Sequence, residues 1–303
     1  MLQRTHLTCL ALLTFFSVSS QLNAQVTEFE TTRMKSTGGA GVGSLLMDES
    51  TVLNPAPIAF FNSSAMFYQR SSADIEMNPS AESRPFSTAN SKSNAFIVSD
   101  SKGSASGSIS YINQEENGDE RRTFGVSLAS AMGKKSAFGI NYKFIKDTIT
   151  DETGLTREDD YKQAILGVTH VINQNFSLGV VAVDPFQVRP NQTKAIVGLQ
   201  YVFEDFISLM FDAGADYNRK LNETTILRAA AQIKLYDDFF LRFGAYNDEI
   251  LGEEGTGFGI GWMQPRLTLE FALKNSTSGP TELTSNEVIR DDKETSFSLA
   301  YRF

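Results

Sequence analysis

The strongest constraint on this chain is an alternation of apolar and polar residues that recurs along its length and ends at its last residue. In the final eight residues, every second side chain from Phe297 to Phe303 is large and apolar, and those between them are small or polar. This period of two is typical of a β-strand with one apolar face. A free strand of this kind invites aggregation, so it predicts either a closed sheet or the edge of a soluble sandwich.

The same alternation recurs at regular intervals. It is found at 65–71, 94–99, 105–113, 122–131, 138–144, 161–171, 176–183, 195–203, 207–211, 227–235, 239–243, 256–263, 267–273 and 296–303. An even number of such strands is typical of bacterial outer-membrane barrels. We therefore predict an all-β fold, a transmembrane antiparallel β-barrel of about fourteen strands.

The segments between these runs alternate in length. Tight turns are predicted at Gly133-Lys134, 173–175, Glu204-Asp205, Asp237-Asp238 and Gln264-Pro265. Longer polar loops are predicted between them, at about 72–93, 114–121, 147–160, 184–193, 217–223, 247–255 and 275–294. Short turns on one rim and long loops on the other are the pattern of outer-membrane barrels, and a soluble sandwich has no reason to show it.

The N-terminus predicts export. Arg4 precedes an apolar stretch at 7–18, and Leu22-Asn23-Ala24 provides a small-residue cleavage site, so residues 1–24 are predicted to be a signal peptide. The only cysteine, Cys9, lies within it. No later stretch has the roughly 20 consecutive apolar residues of a membrane helix, so a closed barrel is the structure that could cross a membrane.

Composition argues against several functions. The formal net charge of −9 disfavours nucleic acid as a partner. His170 is the only histidine beyond the signal peptide and no cysteine remains there, so ordinary zinc chemistry and a catalytic triad have no support. Acidic pairs such as Glu115-Glu116 and Glu253-Glu254 could bind calcium, but they are more simply solvated loop charges. We predict no enzyme activity, no metal and no cofactor.

Residues 25–60 have little strand pattern but carry a distinctive block of residues. The block contains Gly38, Gly39, Gly41, Asp48, Asn54 and Pro55. It resembles the "GGA…D…NPA" block of the long-chain fatty acid transporter (FadL-like) superfamily and of the related PorV/PorQ barrels of secretion systems. Pro57 stands where a small residue is commoner in those proteins.

This resemblance implies that residues 25–60 fold into the barrel as a plug or hatch, and that residues 61–303 form a fourteen-stranded barrel. A flexible linker is the alternative for the segment. The terminal strand resembles the assembly signal of outer-membrane barrels, with Phe303 and Tyr301 as its key residues. That resemblance implies the β-barrel assembly machinery as a partner, together with outer-membrane lipid and lipopolysaccharide.

The alternation also predicts which charged residues face the lumen. They are Lys143, Asp212, Arg228, Lys234, Arg242, Glu270, Lys274 and Arg302. Six bases against two acids would favour an anionic solute or a fatty-acid carboxylate. The structural alternative is that these charges pair with each other or with the plug, since Asp212, Arg228 and Arg242 lie on consecutive strands.

The sequence predicts a protein of the bacterial outer membrane. The predicted function is passive transport of a hydrophobic or amphipathic small molecule, which would be the ligand. Two alternatives stay open: a PorV-like barrel that carries or receives secreted proteins in a complex, and a structural or adhesion protein of the outer membrane.

Overall fold

The structure, a computed structural model, describes residues 26–79, 87–103, 105–150, 154–189, 192–236, 238–279 and 288–303. The predicted signal peptide, residues 1–24, lies outside the described residues. Within them, no helix has the length and apolar character needed to cross a membrane.

Fourteen antiparallel strands form one closed barrel, which confirms the predicted fold class. The strands are β1 (Ser64–Pro79), β2 (Ser87–Asp100), β3 (Ser106–Glu116), β4 (Asp119–Met132), β5 (Ser136–Thr150), β6 (Thr156–Val171), β7 (Phe176–Val183), β8 (Lys194–Phe203), β9 (Ile207–Ala215), β10 (Ile226–Lys234), β11 (Phe239–Asp248), β12 (Glu253–Met263), β13 (Leu267–Ser278) and β14 (Val288–Arg302). The described helices are α1 (Thr32–Ser36) and two short 3-10 helices, Ala56–Phe60 and Leu221–Glu223.

The barrel closes where its first and last strands meet. β1 pairs with β14 in an antiparallel register from Ala65 opposite Arg302 to Pro79 opposite Val288. At the rim, Ser64 and Phe303 exchange two backbone hydrogen bonds of 3.2 and 3.0 Å. No strand is left as a free edge by this closure, so the apolar outer face can stand in lipid.

The alternation assigns the two faces of the wall as the sequence suggests. On β5 the outward side chains of Phe138 and Phe144 are 40% and 43% exposed, whereas the inward side chain of Asn141 is fully buried. The same arrangement holds on β13, where Phe271 points outward and Ala272 is buried. Outward apolar and inward buried residues give each strand the two faces that a membrane barrel requires.

The long-loop rim differs from the prediction. Of the predicted loop at 114–121, only Asn117 and Gly118 are outside strands, and both have positive φ, as a two-residue hairpin turn requires. The predicted loops at 72–93, 147–160, 247–255 and 275–294 are likewise shortened by strands that extend into them. Strand pairing continues there because backbone hydrogen bonding does not depend on an apolar face.

The strands differ in length around the barrel. β1 and β6 each have 16 residues, whereas β7 has 8 and β9 has 9. A tilted strand needs about 9–11 residues to cross a bilayer. The longer strands therefore extend beyond the membrane at the long-loop rim, where the outward face meets water and the apolar alternation of the sequence is lost, while inward residues such as Ile75 stay buried.

We expect Phe303→Asp to impair assembly of the barrel. The Phe303 ring stacks on Tyr301 with 6.3 Å between ring centres, next to the backbone bonds that close the barrel. A charge here would disfavour the apolar terminal strand that assembly must pair. Heat-modifiable mobility of membrane-inserted protein measures assembly. Phe203→Asp, at the end of β8 and similarly exposed (48% against 53%), is the matched control. Equal insertion of both variants would contradict the assignment.

Candidate functional site

The segment before β1 lies against the inward face of the wall. It starts at Val26, whose carbonyl accepts a 2.7 Å hydrogen bond from Arg121 on β4. It continues to helix α1, where the Thr31 hydroxyl caps the Met34 N–H at 3.1 Å. From there it reaches the 3-10 helix at Ala56–Phe60, where Pro57 occupies the first turn. Proline fits this position because its missing N–H would have no partner in the helix. We refer to residues 26–62 as the N-terminal segment.

Glycines of the wall make room for this segment. Gly244 and Gly257 oppose each other on β11 and β12, and Gly179 and Gly198 oppose each other on β7 and β8. A Cβ atom at Gly257 would overlap the Lys35 carbonyl, and one at Gly179 would overlap the Val42 carbonyl. The backbone of the N-terminal segment therefore lies directly on the backbone of the wall.

The sequence contains a pattern that indicates this contact between the wall and the N-terminal segment, although the strand prediction did not include it. β12 has glycine at every second position, 255, 257, 259 and 261, and these positions share the inward face. Glycine weakens a strand, so a row of it on one face indicates the close approach of another backbone. On the opposite face, Phe258 and Ile260 are exposed at about 40%, as lipid-facing residues should be.

Asp212 and Arg228 hold the glycine-rich turn after α1. The Asp212 carboxylate, fully buried, accepts hydrogen bonds from the N–H groups of Gly41 (2.8 Å) and Val42 (3.1 Å). Arg228, opposite Asp212 in register, donates to the Gly39 carbonyl at 3.1 Å. Gly38 and Gly39 have φ of +57° and +74°, which disfavours any other residue there.

Asn54 and Pro55 lie against β5 and β6. The Asn54 amide donates to the Val42 carbonyl (2.8 Å) and to the Thr169 hydroxyl (3.0 Å) on β6, and its oxygen accepts from the Ala56 N–H (3.0 Å). A Cβ atom at Gly139 would lie 2.5 Å from the Pro55 carbonyl carbon. The Asn54 side chain therefore joins two parts of the segment to each other and to the wall.

Charged residues meet near the short-turn rim. Arg242 pairs with Glu270 at 2.9 Å, and Arg302 lies 3.5 Å from Asp48 of the segment. The Thr31 hydroxyl donates to Glu49 at 2.8 Å. Burial raises the pKa of the Glu49 carboxyl above its ordinary value, although nearby Arg33 and the Thr31 hydrogen bond favour its ionised form. The contacts link the segment to β14 and brace β11 against β13.

The predicted excess of positive charge in the lumen is wrong. Buried acids at strand ends were missed because they fell in predicted loops: Glu116, Asp119, Asp147 and Asp248. The N-terminal segment adds Glu30, which accepts a 2.8 Å hydrogen bond from Lys274, and Glu28, which pairs with Lys194 at 2.7 Å. The contacts fit the structural alternative, because Asp212 and Arg228 bind the segment and Arg242 pairs with Glu270, although these three side chains do not pair with each other.

Apolar side chains also face inward, in three clusters. The rim cluster is formed by Ala73, Ile75 and Ala89 with Met77, near the long-loop rim. The middle cluster joins wall residues such as Phe67, Ile97 and Ile112 to residues of the segment such as Phe29 and Val42. The base cluster contains Ala65 and Ala129 with Met47 and Ile58, close to the short-turn rim.

The remaining predicted residues lie at the ends of the strands or in the segment. Tyr301 and Phe303 point outward at the short-turn rim, at 43% and 53% exposure. Asp48 and Gly41 belong to the segment, as do the other plug candidates. The described residues contain no group of three or more histidine, cysteine or acidic side chains arranged to hold a metal ion.

We expect Gly179→Val to push the N-terminal segment off the wall, because the valine side chain would occupy the position of the Val42 carbonyl. The chain lacks cysteine after Cys9, so an introduced thiol is a clean reporter. Ser44→Cys, 1% exposed, should resist a water-soluble maleimide in the parent and react with it after Gly179→Val.

Two controls accompany this test. Leu45→Cys, at a residue 38% exposed, should react in both backgrounds. Ala182→Val, on the outward face of the same strand, should leave Ser44→Cys protected. Protection of Ser44→Cys in a heat-modifiable Gly179→Val barrel would show that the segment is not held by this contact.

No protein-family model matches the chain, and no curated protein matches it. Solved structures do match in fold. The monoaromatic hydrocarbon channel CymD aligns with a TM-score of 0.67 at 11% identity, over 90% of this chain and 97% of CymD. A FadL homologue of Pseudomonas aeruginosa aligns with a TM-score of 0.65 at 12% identity, over 92% and 99% of the two chains.

The toluene transporter TbuX of Ralstonia pickettii aligns with a TM-score of 0.68 at 10% identity, over 91% of this chain and 99% of TbuX. These three structures share only 10–12% identity with the chain, so the likeness shows the fold alone. The resemblance seen in the sequence is therefore confirmed at the level of the fold: the chain has the fourteen-stranded barrel fold of the FadL-type transporters.

Proposed function

We propose that the protein is an outer-membrane channel for passive uptake of neutral hydrophobic small molecules. The observation that carries this proposal is the column of three apolar clusters on the inward face near β1. Lumens of outer-membrane barrels are ordinarily polar, and an apolar inner wall favours solutes that lose free energy on leaving water.

The clusters follow one another along β1. Met77, Ile75 and Ala73 lie toward the long-loop rim, Phe67 lies in the middle cluster and Ala65 in the base cluster. The successive clusters form a route along one side of the barrel, from the rim that would face outside to the rim that would face the periplasm. The N-terminal segment packs against its lower part.

A polar side chain, Gln69, interrupts this apolar route. Gln69, between Phe67 and Ala73 on the inward face of β1, accepts from the Thr32 N–H (2.7 Å) and donates to the Glu30 carbonyl (2.9 Å). The N-terminal segment therefore occupies the lumen between the rim cluster and the middle cluster. Passage would require this part of the segment to move, so the N-terminal segment would act as a hatch.

The charges of the lumen favour a neutral solute over a carboxylate. Arg242, Lys274 and Arg302 each have an acidic partner within 3.5 Å. A carboxylate would have to displace one of these acids or stay unpaired in a partly dehydrated lumen, which is costly. Two structural neighbours are named as a monoaromatic hydrocarbon channel and a toluene transporter, and the solutes in these names are also neutral and hydrophobic.

The proposal includes the place and partners of the protein. The exposed apolar band requires a lipid environment, and the signal-like N-terminus and terminal Phe303 support export and outer-membrane insertion. The β-barrel assembly machinery would act on the terminal strand, and phospholipid and lipopolysaccharide would surround the band. The transported hydrophobic molecule is the only ligand in this proposal.

Uptake of labelled toluene by intact Gram-negative cells tests the function. Intact cells are required because a plain phospholipid bilayer already passes toluene, whereas a lipopolysaccharide leaflet slows it. Expression should raise the initial rate of toluene uptake and leave the rate for a long-chain fatty acid unchanged. Ala73→Trp, which fills the rim cluster, should reduce the rate several-fold. Ala229→Trp, on the outward face of β10, should not. No gain over cells without the protein would overturn the proposal.

Deletion of residues 38–56 should open the lumen. It removes the backbone groups that bind Asp212 and Arg228 and the side chain that binds Thr169. The wall keeps its own ladder of strand hydrogen bonds. We expect a heat-modifiable barrel whose ionic conductance in planar bilayers is several-fold higher than that of the full mature chain. Equal conductance from an intact barrel would show that this part of the segment does not obstruct the lumen.

A further inference from the structure

The outward faces of β5 and β6 change from apolar to polar at the short-turn rim. Phe138 and Val168, opposite each other in register, are exposed at 40% and 39% in the apolar band. The next outward pair toward the rim is Ser136 opposite His170. These two side chains therefore lie where the apolar interior of a membrane gives way to its headgroups.

The His170 ring is held in place. The Ser136 hydroxyl and His170 Nδ1 are hydrogen-bonded at 2.8 Å. Among the described hydrogen bonds, Nε2 has no partner, and the side chain is exposed. A fixed ring with a free nitrogen on the outer surface is available to a polar group from outside the barrel.

Two lysines flank this histidine. Lys134 and Lys135 lie in the turn between β4 and β5, where Gly133 has φ of +78°. The backbone of Lys135 accepts a 2.7 Å hydrogen bond from the Val171 N–H, and its Nζ donates to the Ile172 carbonyl at 2.8 Å. Both lysine side chains are exposed. We call Lys134, Lys135, Ser136 and His170 the basic patch.

The chain offers the basic patch no nearby acid in sequence. Residues 121–146, which include the β4–β5 turn, contain no aspartate or glutamate, and neither do residues 161–183 around the β6–β7 turn. Elsewhere on the same rim, the turn between β8 and β9 carries the acids Glu204 and Asp205. The strands and turns that carry the basic patch therefore supply no acidic counter-charge, and its exposed side chains are available to an anion from outside the protein.

We propose that the basic patch binds the phosphate of a phospholipid headgroup, with an acyl chain lying along Phe138, Val168 and Val180. This inference rests on the proposed placement of the barrel in the outer membrane, which puts the short-turn rim in the periplasmic, phospholipid leaflet. The apolar surface directly above the lysines favours a lipid over a soluble anion. Each lysine near an anionic membrane surface contributes about 1 kcal/mol to binding.

Native mass spectrometry of the purified full barrel in neutral detergent tests this. The probes are phosphatidylglycerol, diacylglycerol with the same acyl chains, and inorganic phosphate. We expect one phosphatidylglycerol to be retained, with no retention of diacylglycerol. Lys134→Gln/Lys135→Gln should weaken phosphatidylglycerol binding on the order of thirtyfold, and His170→Gln should weaken it further.

The matched control is Lys92→Gln/Lys293→Gln, which removes two lysines from the long-loop half of β2 and β14. The control should bind the lipid as the parent does. Equal loss in both double variants would mean unspecific charge attraction, and unchanged binding in the Lys134→Gln/Lys135→Gln variant would mean that the lipid lies elsewhere. Either result overturns the site.

Two further results would also overturn it. If inorganic phosphate competes at concentrations comparable with the lipid, the basic patch is an anion site and not a lipid site. If the patch captures an acidic periplasmic protein in preference to phosphatidylglycerol, its partner is a protein. Toluene uptake by cells carrying Lys134→Gln/Lys135→Gln should match that of the parent, so a failure of the lipid site is separable from a failure of the transport proposal.

Discussion

The backbone pairing of β1 with β14 is the interaction on which the rest of the structure depends. Without it both strands would present unpaired N–H and C=O groups to lipid, each at a cost of several kcal/mol. With it, every outward residue of the wall can be apolar and every inward residue is enclosed. Closure also places Arg302 of the last strand beside Asp48 of the N-terminal segment, so the segment and the seam of the barrel share a contact.

Inside the closed wall, the N-terminal segment has almost no secondary structure to satisfy its backbone, and side chains of the wall do so instead. Asp212, Asn141 and Ser177 each bind backbone groups of the segment. A typical hydrogen bond contributes only about 0.5–1.5 kcal/mol net, so parts of the segment can detach while others hold. This division of contacts suits the proposed hatch, which would obstruct the lumen at rest and move locally when a solute passes.

Strand positions and faces could be predicted from the sequence because lipid imposes a period of two wherever a strand crosses it. The strand ends at the long-loop rim could not be predicted in this way. Strands such as β6 extend into water there, and Glu158 and Asp160 follow no apolar alternation. Contacts across the lumen could not be predicted from the sequence either. The hydrogen bond between Asp212 and Gly41, for example, depends on how two distant stretches of the chain meet. The Asn117-Gly118 hairpin and the inward glycines of β12, by contrast, can be predicted from the sequence, because both depend on local residue patterns.

The apolar clusters of the inner wall could also be predicted from the sequence, at the places where the alternation fails. A strand with a polar inner face should alternate strictly, yet Ala95-Phe96-Ile97-Val98 and Val180-Val181-Ala182-Val183 are apolar at consecutive positions. One set of these residues meets lipid, and the other, including Ile97 and Val181, is buried in the middle cluster. In a soluble sheet such runs indicate a strand covered on both sides. In a transmembrane barrel, where lipid covers one side, they indicate that apolar atoms also cover the inward side of these strands, and here those atoms are the part of the middle cluster that the N-terminal segment supplies.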